Sequence, residues 1–393
     1  MTGKERVRAA IARQPVDRVP LGLYAVDYDT VAAVIGRPTI VRNQIAMQTA
    51  LWEGRRDEMV EQWKADLTEF YRKIDCADVI TCRDAMLMPA RSSMISPLGS
   101  YWVELPGPPR KIADNEWKDA EGRIFRAVPD VNEIRCIHDP TVAKEPVFRV
   151  EDFEGPVEEP APPDPAVFEV LDHIIEQFGQ ERYIAGACGG LTAMTLLGGF
   201  ETGLMMYALH PEVVAAANRR SVAVQNAWDR FYVRPGQDGA IMDQDMAGTN
   251  APYVSPAMFR ELCLPYMRRR IEHVKQFAQQ VIHHNCGNNI PLIDMFIEAG
   301  VDCYQSLQTT AGMEIGRLKE LFPGRMCWWG GVPVEILISG TPAQTRQAVR
   351  TALQRGAPGG GFILGPSQSI PKNTRYDNFM AMLDEFVALR DKF

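Results

Sequence analysis

The sequence lacks several features that would assign it to other classes of protein. No run of 18 or more apolar residues is present, so we expect no membrane-spanning helix. The N-terminal residues MTGKERVRAAIARQPVDRVP contain charges throughout and no apolar core of a secretory signal. The eight cysteines include no CxxC pair. These absences predict a cytoplasmic protein whose cysteines are reduced.

Positive charge is not in excess either. Lys and Arg number 42 against 50 Asp and Glu, which gives a net charge of −8. Nucleic acids and anionic membranes both require a basic surface, so we expect neither as a partner. With 393 residues, of which 46% are hydrophobic, the chain is long enough to bury a large core without disulfides.

Short apolar runs alternate with helical stretches along most of the chain. Runs that are apolar on both faces are typical of strands buried in a parallel sheet. Eight of them, alternating with helices, predict a (β/α)8 TIM barrel. A doubly wound open sheet is the alternative, but no GxGxxG loop follows any run. The eight runs are Val19–Val26, Asp78–Cys82, Tyr183–Gly189, Gly239–Asp243, Val281–Cys286, Asp302–Leu307, Met326–Gly331 and Gly361–Gly365.

One region departs from this alternation. Between Tyr101 and Val128, extended segments separated by Pro-Gly and Glu-Gly turns predict an inserted β-hairpin region. The segment 151–165 is acidic and rich in proline, which predicts an exposed extended connection. We therefore expect residues 1–393 to form a single barrel domain with an irregular excursion at 101–165.

Two helices have clear start signals. Ser255-Pro256 predicts a capped helix start, followed by an apolar face that runs to Val274. Thr341-Pro342 predicts a second start, and Gly356 predicts the end of that helix.

In a TIM barrel, catalytic side chains lie at the carboxyl ends of the strands. His284 and Cys286 are two residues apart at one such end, so their side chains point to the same side, and imidazole with thiolate suits zinc. A buried cysteine beside a hydrogen-bonded histidine is the alternative interpretation. The same rule selects these other candidates: the carboxylates Asp84, Asp243 and Asp245 for catalysis, and Gln244, Gln308 and Gln368 for substrate binding.

The carboxylates have competing interpretations. Asp243 and Asp245 are suited to binding a substrate amine, acting as acid or base, or completing a metal site. A solvated loop with one capping Asp is the alternative. Asp84 is a candidate catalytic acid or a simple ion-pair partner of Arg83.

Five segments carry a resemblance to a known family, and they are MTGKERVRAAIARQPVDRVPLGLY, GAIMDQDMAGTNAPYVSPAMFRELCLPYMRRRIEHVK, VIHHNCGNNIPLIDMFIEAGVD, GRMCWWGGVPVEILISGTPAQTRQAVRTAL and GGGFILGPSQSIP. Together with Asn378 they resemble the uroporphyrinogen decarboxylase superfamily, and they cover the C-terminal half almost continuously and the N-terminal part patchily. In that superfamily, His-x-Cys-Gly after the fifth strand marks zinc-dependent methyltransferases, which move methyl groups between a small molecule and a corrinoid protein. The sequence HNCG at His284 matches this pattern, whereas the basic motif of the decarboxylases does not occur.

The chain departs from this pattern at one place. Relatives that act on thiols usually supply a third ligand, a Cys, after strand eight, where this chain has GPSQSIP with Gln368. The departure favours an ether-type methyl donor. It implies either that Asp243 or Asp245 completes the metal site, or that the metal is weakly bound or absent.

The resemblance implies three hypotheses. The first is a zinc-dependent methyltransferase with Zn2+ on His284 and Cys286, a small-molecule methyl donor and a corrinoid on a partner protein. The second is a cofactor-free decarboxylase of an acidic, tetrapyrrole-like substrate, in which Asp84 holds the reacting group. The third is a non-catalytic protein that binds a corrinoid or a tetrapyrrole.

Overall fold

Parallel strands of one curled sheet organise the chain. The computed structural model describes residues 1–81, 83, 85, 87–91, 105, 107–141, 147–190 and 193–393. The strands of both sheets in these residues are β1 (Val79–Thr81), β2 (Arg110–Ala113), β3 (Glu116–Lys118), β4 (Ile124–Val128), β5 (Glu133–His138), β6 (Tyr183–Gly186), β7 (Gly239–Asp243), β8 (Gln280–His284), β9 (Cys303–Gln305), β10 (Cys327–Val332) and β11 (Phe362–Pro366).

Helices separate most of the parallel strands, and most of them pack on the outside of the sheet, whereas Val7, Ala10 and Ile11 of the first helix pack on the inner layer. The helices are α1 (Gly3–Ile11), α2 (Tyr28–Ile35), α3 (Gln44–Trp52), α4 (Arg56–Lys73), α5 (Glu169–Phe178), α6 (Phe200–Leu209), α7 (Pro211–Tyr232), α8 (Pro256–Leu262), α9 (Leu264–Val274), α10 (Ile293–Ala299), α11 (Ile315–Leu321), α12 (Val334–Ser339), α13 (Pro342–Gly356) and α14 (Tyr376–Leu389). None of these helices is both long and apolar enough to cross a membrane.

The parallel sheet follows the order of the chain. Its strands are arranged β1-β6-β7-β8-β9-β10-β11, and each hydrogen-bonded pair is parallel. A doubly wound sheet would reverse its strand order at a switch point, and this sheet does not. The protein therefore has an α/β fold with a curled parallel sheet, consistent with the TIM-like class.

The segment predicted as the first strand, Val19–Val26, requires a correction. It forms isolated bridges instead of a regular strand: Leu21 pairs with Leu364 of β11, and Gly22 pairs with Val79 of β1. Pro20 has no N–H to donate, and the Gly22 carbonyl accepts a hydrogen bond from Trp329 Nε1 at 3.0 Å. A continuous ladder is therefore interrupted, although the segment contacts both edges of the sheet.

Alternation along the strands separates two layers of core. In β8, Ile282 faces the inside of the curl, whereas Val281 packs among the helices. His283 contacts Phe296 of α10, so by the two-residue period His284 faces inward. The inner layer contains Val79, Tyr183, Ala185, Ile241, Ile282, Cys303, Cys327, Trp329 and Ile363.

A second, antiparallel sheet has the order β2-β3-β4-β5. Trp117 and Phe125 pack on Trp52 at the end of α3, with ring centroids 5.2 Å and 6.0 Å apart. The predicted extended segment at 101–104 lies outside the described residues, and β5 was not anticipated from the sequence. The connection 151–165 contains no buried residue, as predicted.

The two predicted helix starts are confirmed, but one helix is divided. Ser255 caps α8, and Thr341 forms a capping box with Gln344 at the start of α13. The apolar face that runs to Val274 belongs to two helices, α8 and α9, separated at Cys263. Pro265 lies in the first turn of α9, and its missing N–H and its ring disfavour a continuous helix there.

Candidate metal centre

Three polar side chains stand side by side at the carboxyl ends of neighbouring strands. Asp243 ends β7, His284 ends β8 and Gln305 ends β9. The register pairs Asp243 with His284, and His284 with Gln305. Because equivalent positions of parallel strands face the same way, these side chains converge at one end of the curled sheet.

The imidazole of His284 is held on three sides. Its Nδ1 donates a hydrogen bond to Gln305 Oε1, which leaves Nε2 without a proton. Nε2 lies 3.5 Å from Cys286 Sγ. The phenol ring of Tyr24 stacks on the imidazole, with centroids 4.0 Å apart and 7° between the planes. Burial lowers the pKa of His284 to about 4, so near neutral pH Nε2 keeps its lone pair for a metal ion.

Cys286 follows β8 and lies on the same side as His284, as the spacing of two residues predicts. Its Sγ is 3.6 Å from Ser306 Oγ and 3.7 Å from Gln368 Oε1. Its backbone N–H donates to Asp245 Oδ1 at 2.7 Å. Burial raises the pKa of the thiol to about 12, and the Asp245 carboxylate adds to the shift. Without a metal ion, the thiol therefore keeps its proton.

Asp245, His284 and Cys286 form a group that fits a metal ion. One donor atom from each lies within 4.8 Å of the other two. Zinc binds sulfur at ~2.3 Å and imidazole nitrogen at ~2.0–2.1 Å, so a tetrahedral angle separates these donors by about 3.5 Å. The observed separation between Sγ and Nε2 is 3.5 Å. Three protein donors are also the number found in catalytic zinc sites, which reserve a fourth position for water or substrate.

Gly287 brings these donors together. Its φ of +87° is unfavourable for other residues, and a Cβ there would lie 2.2 Å from the Ala247 carbonyl oxygen. Its N–H donates to Gln308 Oε1 at 2.8 Å. The loop after β8 therefore packs directly on the loop after β7, which places Cys286 beside Asp245.

Asp243 belongs to a different cluster. Its Oδ2 accepts a hydrogen bond from the Tyr24 hydroxyl at 2.8 Å and forms an ion pair with Arg83. Arg83 Nε donates to the Tyr24 hydroxyl at 3.1 Å. We call these three residues, Tyr24, Arg83 and Asp243, the Arg83 cluster. It adjoins the metal-ligand group through the stacked rings of Tyr24 and His284.

The family of this chain follows from a comparison with known protein families. The family model for uroporphyrinogen decarboxylase (URO-D) matches residues 133–388, which is more than half of the chain and includes Asp245, His284 and Cys286. The chain belongs to the URO-D family. No curated protein matches it.

Two solved structures of enzymes are among those that match the chain. A methyltransferase from Methanosarcina mazei is 18% identical, covers 100% of this chain and 99% of its own, and has a TM-score of 0.62. A B12-independent methionine synthase from Shewanella sp. W3-18-1, in complex with selenomethionine, is 12% identical, covers 85% of this chain and 91% of its own, and has a TM-score of 0.40. At such identities the likeness to the Methanosarcina enzyme concerns the URO-D fold.

The three glutamines predicted to bind substrate have different surroundings. Gln244 is occupied by the backbone of the loop after β6: its Oε1 accepts from Ala193 N–H and its Nε2 donates to the Met194 carbonyl. Gln308 accepts the Gly287 N–H, and Gln368 lies beside Cys286 Sγ. The remaining predicted residue, Asp84, lies outside the described residues.

Sequence reasoning missed Tyr24 and Gln305. A glutamine inside a buried run, two residues after Cys303 on the inward face, was the available signal for Gln305. Tyr24 had no comparable signal, because it lies in the interior of a predicted strand and far from β8 along the chain. Cys303 and Cys327 begin β9 and β10 and are paired in register, so they lie at the opposite end of their strands from the metal-ligand group.

Proposed function

We propose that this URO-D family member is a zinc-dependent methyltransferase. It passes a methyl group between a small methylated compound and a corrinoid carried on another protein. The observation that carries this proposal is the metal-ligand group Asp245, His284 and Cys286 at the carboxyl ends of the parallel strands. One imidazole, one thiolate and one carboxylate suit a zinc site with an open position. The fold shared with the Methanosarcina mazei methyltransferase supports the same assignment.

We further propose that the segment 20–26 completes an eight-stranded barrel. The bridges from Leu21 to β11 and from Gly22 to β1 support closure of the sheet by this segment. Residues 1–393 then form one domain, in which 101–165 is an irregular excursion that contains the antiparallel sheet.

Each donor has a defined task in this proposal. Bound zinc would supply a Lewis acid that polarises the oxygen of the methyl donor. Gln305 fixes the tautomer of His284 so that Nε2 faces Cys286 Sγ. Cys286 gives up its Sγ proton when it becomes a ligand, and Asp245 offers a carboxylate oxygen as the third donor. Gln368 lies beside Cys286 Sγ, at the place where relatives that act on thiols usually supply a cysteine as third ligand. Because this chain has no cysteine there, we favour an ether-type methyl donor.

The Arg83 cluster serves the leaving group. When the methyl carbon–oxygen bond of the donor breaks, the methyl group would pass to the corrinoid as a cation equivalent, the electron pair would stay on the oxygen, and that oxygen would take up a proton from water. Arg83 supplies positive charge beside the metal-ligand group, where it stabilises negative charge that develops on this oxygen. Asp243 and Tyr24 hold Arg83 in place.

Metal analysis and a methyl-transfer assay test the proposal. After chelator treatment and reconstitution, we expect about one zinc per chain, and large losses in His284→Ala and Cys286→Ser. Cys263→Ser is the matched control, since Cys263 is a buried cysteine between α8 and α9. With methyl ethers as donors and free cob(I)alamin as acceptor, formation of methylcobalamin should follow the zinc content. Folded protein that binds no zinc, with unchanged transfer in Cys286→Ser, would overturn the proposal.

A cofactor-free decarboxylase is the second candidate, because the family model that matches the chain carries that name. Turnover of uroporphyrinogen distinguishes it from the methyltransferase, since decarboxylation needs neither zinc nor a methyl acceptor.

A further inference from the structure

Tyr24 is fixed by its surroundings. Its carbonyl accepts a hydrogen bond from Thr81 Oγ1 at 2.5 Å, and its ring packs edge-on against Trp329 with centroids 6.2 Å apart. Its hydroxyl is bonded to Asp243 and Arg83. The residue is 2% exposed. Backbone, ring and hydroxyl are therefore each held by a different neighbour.

This fixed phenol covers one face of a candidate metal ligand. The rings of Tyr24 and His284 are nearly parallel, at 7°, with centroids 4.0 Å apart. Gln305 holds the imidazole at Nδ1 and Cys286 Sγ lies 3.5 Å from Nε2, but two contacts at the ring edge leave the ring free to tilt about the line that joins these two atoms. A flat surface held against the ring face restricts this tilt, and so it fixes the direction in which Nε2 points.

We propose that Tyr24 is a positioning residue that sets the ring plane of His284 for metal binding through stacking. A ligand held in its binding orientation loses less conformational entropy when the metal binds, so the stack raises metal affinity. The hydroxyl has a separate task, which is to hold Asp243 and Arg83. The inference rests on the proposed zinc site, and it divides one side chain into two separable roles.

Cobalt binding separates these roles. Co2+ occupies zinc sites and gives visible absorption bands that report ligand geometry and thiolate coordination. Tyr24→Phe keeps the stacked ring, so its Co2+ affinity should stay within about twofold of the unsubstituted protein and its bands should be unchanged. Tyr24→Leu removes the ring, so its affinity should fall roughly 10–100-fold, with shifted bands. Tyr232→Leu is the matched control, since Tyr232 is a buried tyrosine that stacks on Trp228 in α7.

The outcomes are distinct. Unchanged affinity and bands in Tyr24→Leu, or an equal loss in Tyr24→Phe and Tyr24→Leu, would overturn the stacking role. If the unsubstituted protein binds neither Co2+ nor Zn2+, the proposed function fails together with this inference. If it binds metal and Tyr24→Leu binds equally well, this inference fails alone.

A measurement on the unsubstituted protein covers the case in which Tyr24→Leu does not fold. In Co2+-loaded protein with 13C-labelled tyrosine, the ring signals of Tyr24 are those lost in Tyr24→Phe. A ring stacked on a ligand of the paramagnetic ion should give signals that are strongly shifted relative to the zinc-loaded protein. Unshifted Tyr24 signals would contradict the proposed stack.

Discussion

The backbone N–H of Cys286 donates a hydrogen bond to Oδ1 of Asp245 at 2.7 Å. This bond joins the loop after β8 to the loop after β7 and places a carboxylate beside the thiol. The same carboxylate helps to raise the pKa of the Cys286 thiol. A divalent cation between the two groups would turn this repulsion between negative charges into attraction, so Asp245 is better suited to a metal-bound state than to a metal-free one.

Substitution of Asp245 should therefore weaken zinc binding, and Asp245→Ala should weaken it more than Asp245→Asn. Asp245→Asn keeps an oxygen acceptor for the Cys286 N–H but removes the charge, so we expect a loss of about 10-fold in zinc affinity. Asp245→Ala removes the acceptor as well and should cost more. Competition with a chromophoric chelator measures both. Asp243→Asn is the control and should change affinity by less than about threefold, because Asp243 pairs with Arg83. A larger loss in Asp243→Asn would exchange the roles of the two carboxylates.

The sequence was sufficient for relationships within one strand and insufficient for those between strands. The spacing of His284 and Cys286 placed their side chains on the same side, and the 3.5 Å separation confirms this placement. Asp243 and Asp245 have the same relationship along the chain. In the structure, Asp243 pairs with Arg83, which follows β1, whereas Asp245 lies beside Cys286. The sequence does not show this contact between strands, so it left both carboxylates as possible third ligands. Their metal roles stay predictions.

The same reason explains the first strand. Its apolar run correctly indicated a segment beside the parallel sheet. Hydropathy does not show, however, that Trp329 Nε1 donates a hydrogen bond to the Gly22 carbonyl, which is then not available to a neighbouring strand. Tyr24 lies in this segment and stacks on His284. This contact depends on pairing between residues that are far apart in the chain, so the sequence does not predict it.

Gln305 should control metal affinity through His284. Gln305→Leu leaves the Nδ1–H of His284 without an acceptor in a buried position, so both the tautomer and the ring orientation lose their support. We expect zinc affinity to fall roughly 10–100-fold, whereas Gln305→Glu, which keeps an acceptor, should retain most of it. Gln280→Leu, at the opposite end of β8, is the control for the loss of a glutamine. Unchanged affinity in Gln305→Leu would show that this hydrogen bond is irrelevant to the metal.

Acidification should destabilise the metal-free protein between pH 6.5 and about 4. Burial lowers the pKa of both His283 and His284 to about 4 from an ordinary value of 6.5. In this window the unfolded chain binds more protons than the folded one, so the free energy of unfolding falls as pH falls. Each histidine contributes a slope of up to about 1.4 kcal/mol per pH unit.

Urea denaturation at pH 7, 6 and 5 measures this slope. His283→Gln removes one of the two titrating groups and should make the dependence shallower. His210→Gln, at an exposed histidine, should leave the dependence unchanged. Equal slopes in all three proteins would mean that the buried histidines do not cause the acid sensitivity.

Uroporphyrinogen should not be a substrate. Its eight carboxylates require several basic side chains around the cavity. In the described part of the mouth, Arg83 and Arg42 each already have one carboxylate partner, Asp243 and Asp27, and two paired arginines are too few to bind eight carboxylates. We expect no loss of uroporphyrinogen and no release of carbon dioxide under conditions in which an authentic decarboxylase converts the substrate completely. Measurable decarboxylation would favour the second candidate function.

Gly287→Ala should destabilise the protein more than Gly36→Ala, although the two glycines have similar positive φ. Gly36 and Gly287 both have positive φ, at +80° and +87°. At Gly36 a Cβ meets no described atom within 4 Å, so Gly36→Ala should cost the strain alone, about 1–2 kcal/mol. At Gly287 the Cβ would lie 2.2 Å from the Ala247 carbonyl oxygen, so the loops after β7 and β8 must separate.

We expect Gly287→Ala to cost at least about 3 kcal/mol in urea denaturation. It should also weaken zinc binding, because separating these loops moves Cys286 away from Asp245. Gly36→Ala should bind zinc normally. Equal losses of stability in the two variants, with normal zinc binding in both, would show that close packing of these loops is not what assembles the metal-ligand group.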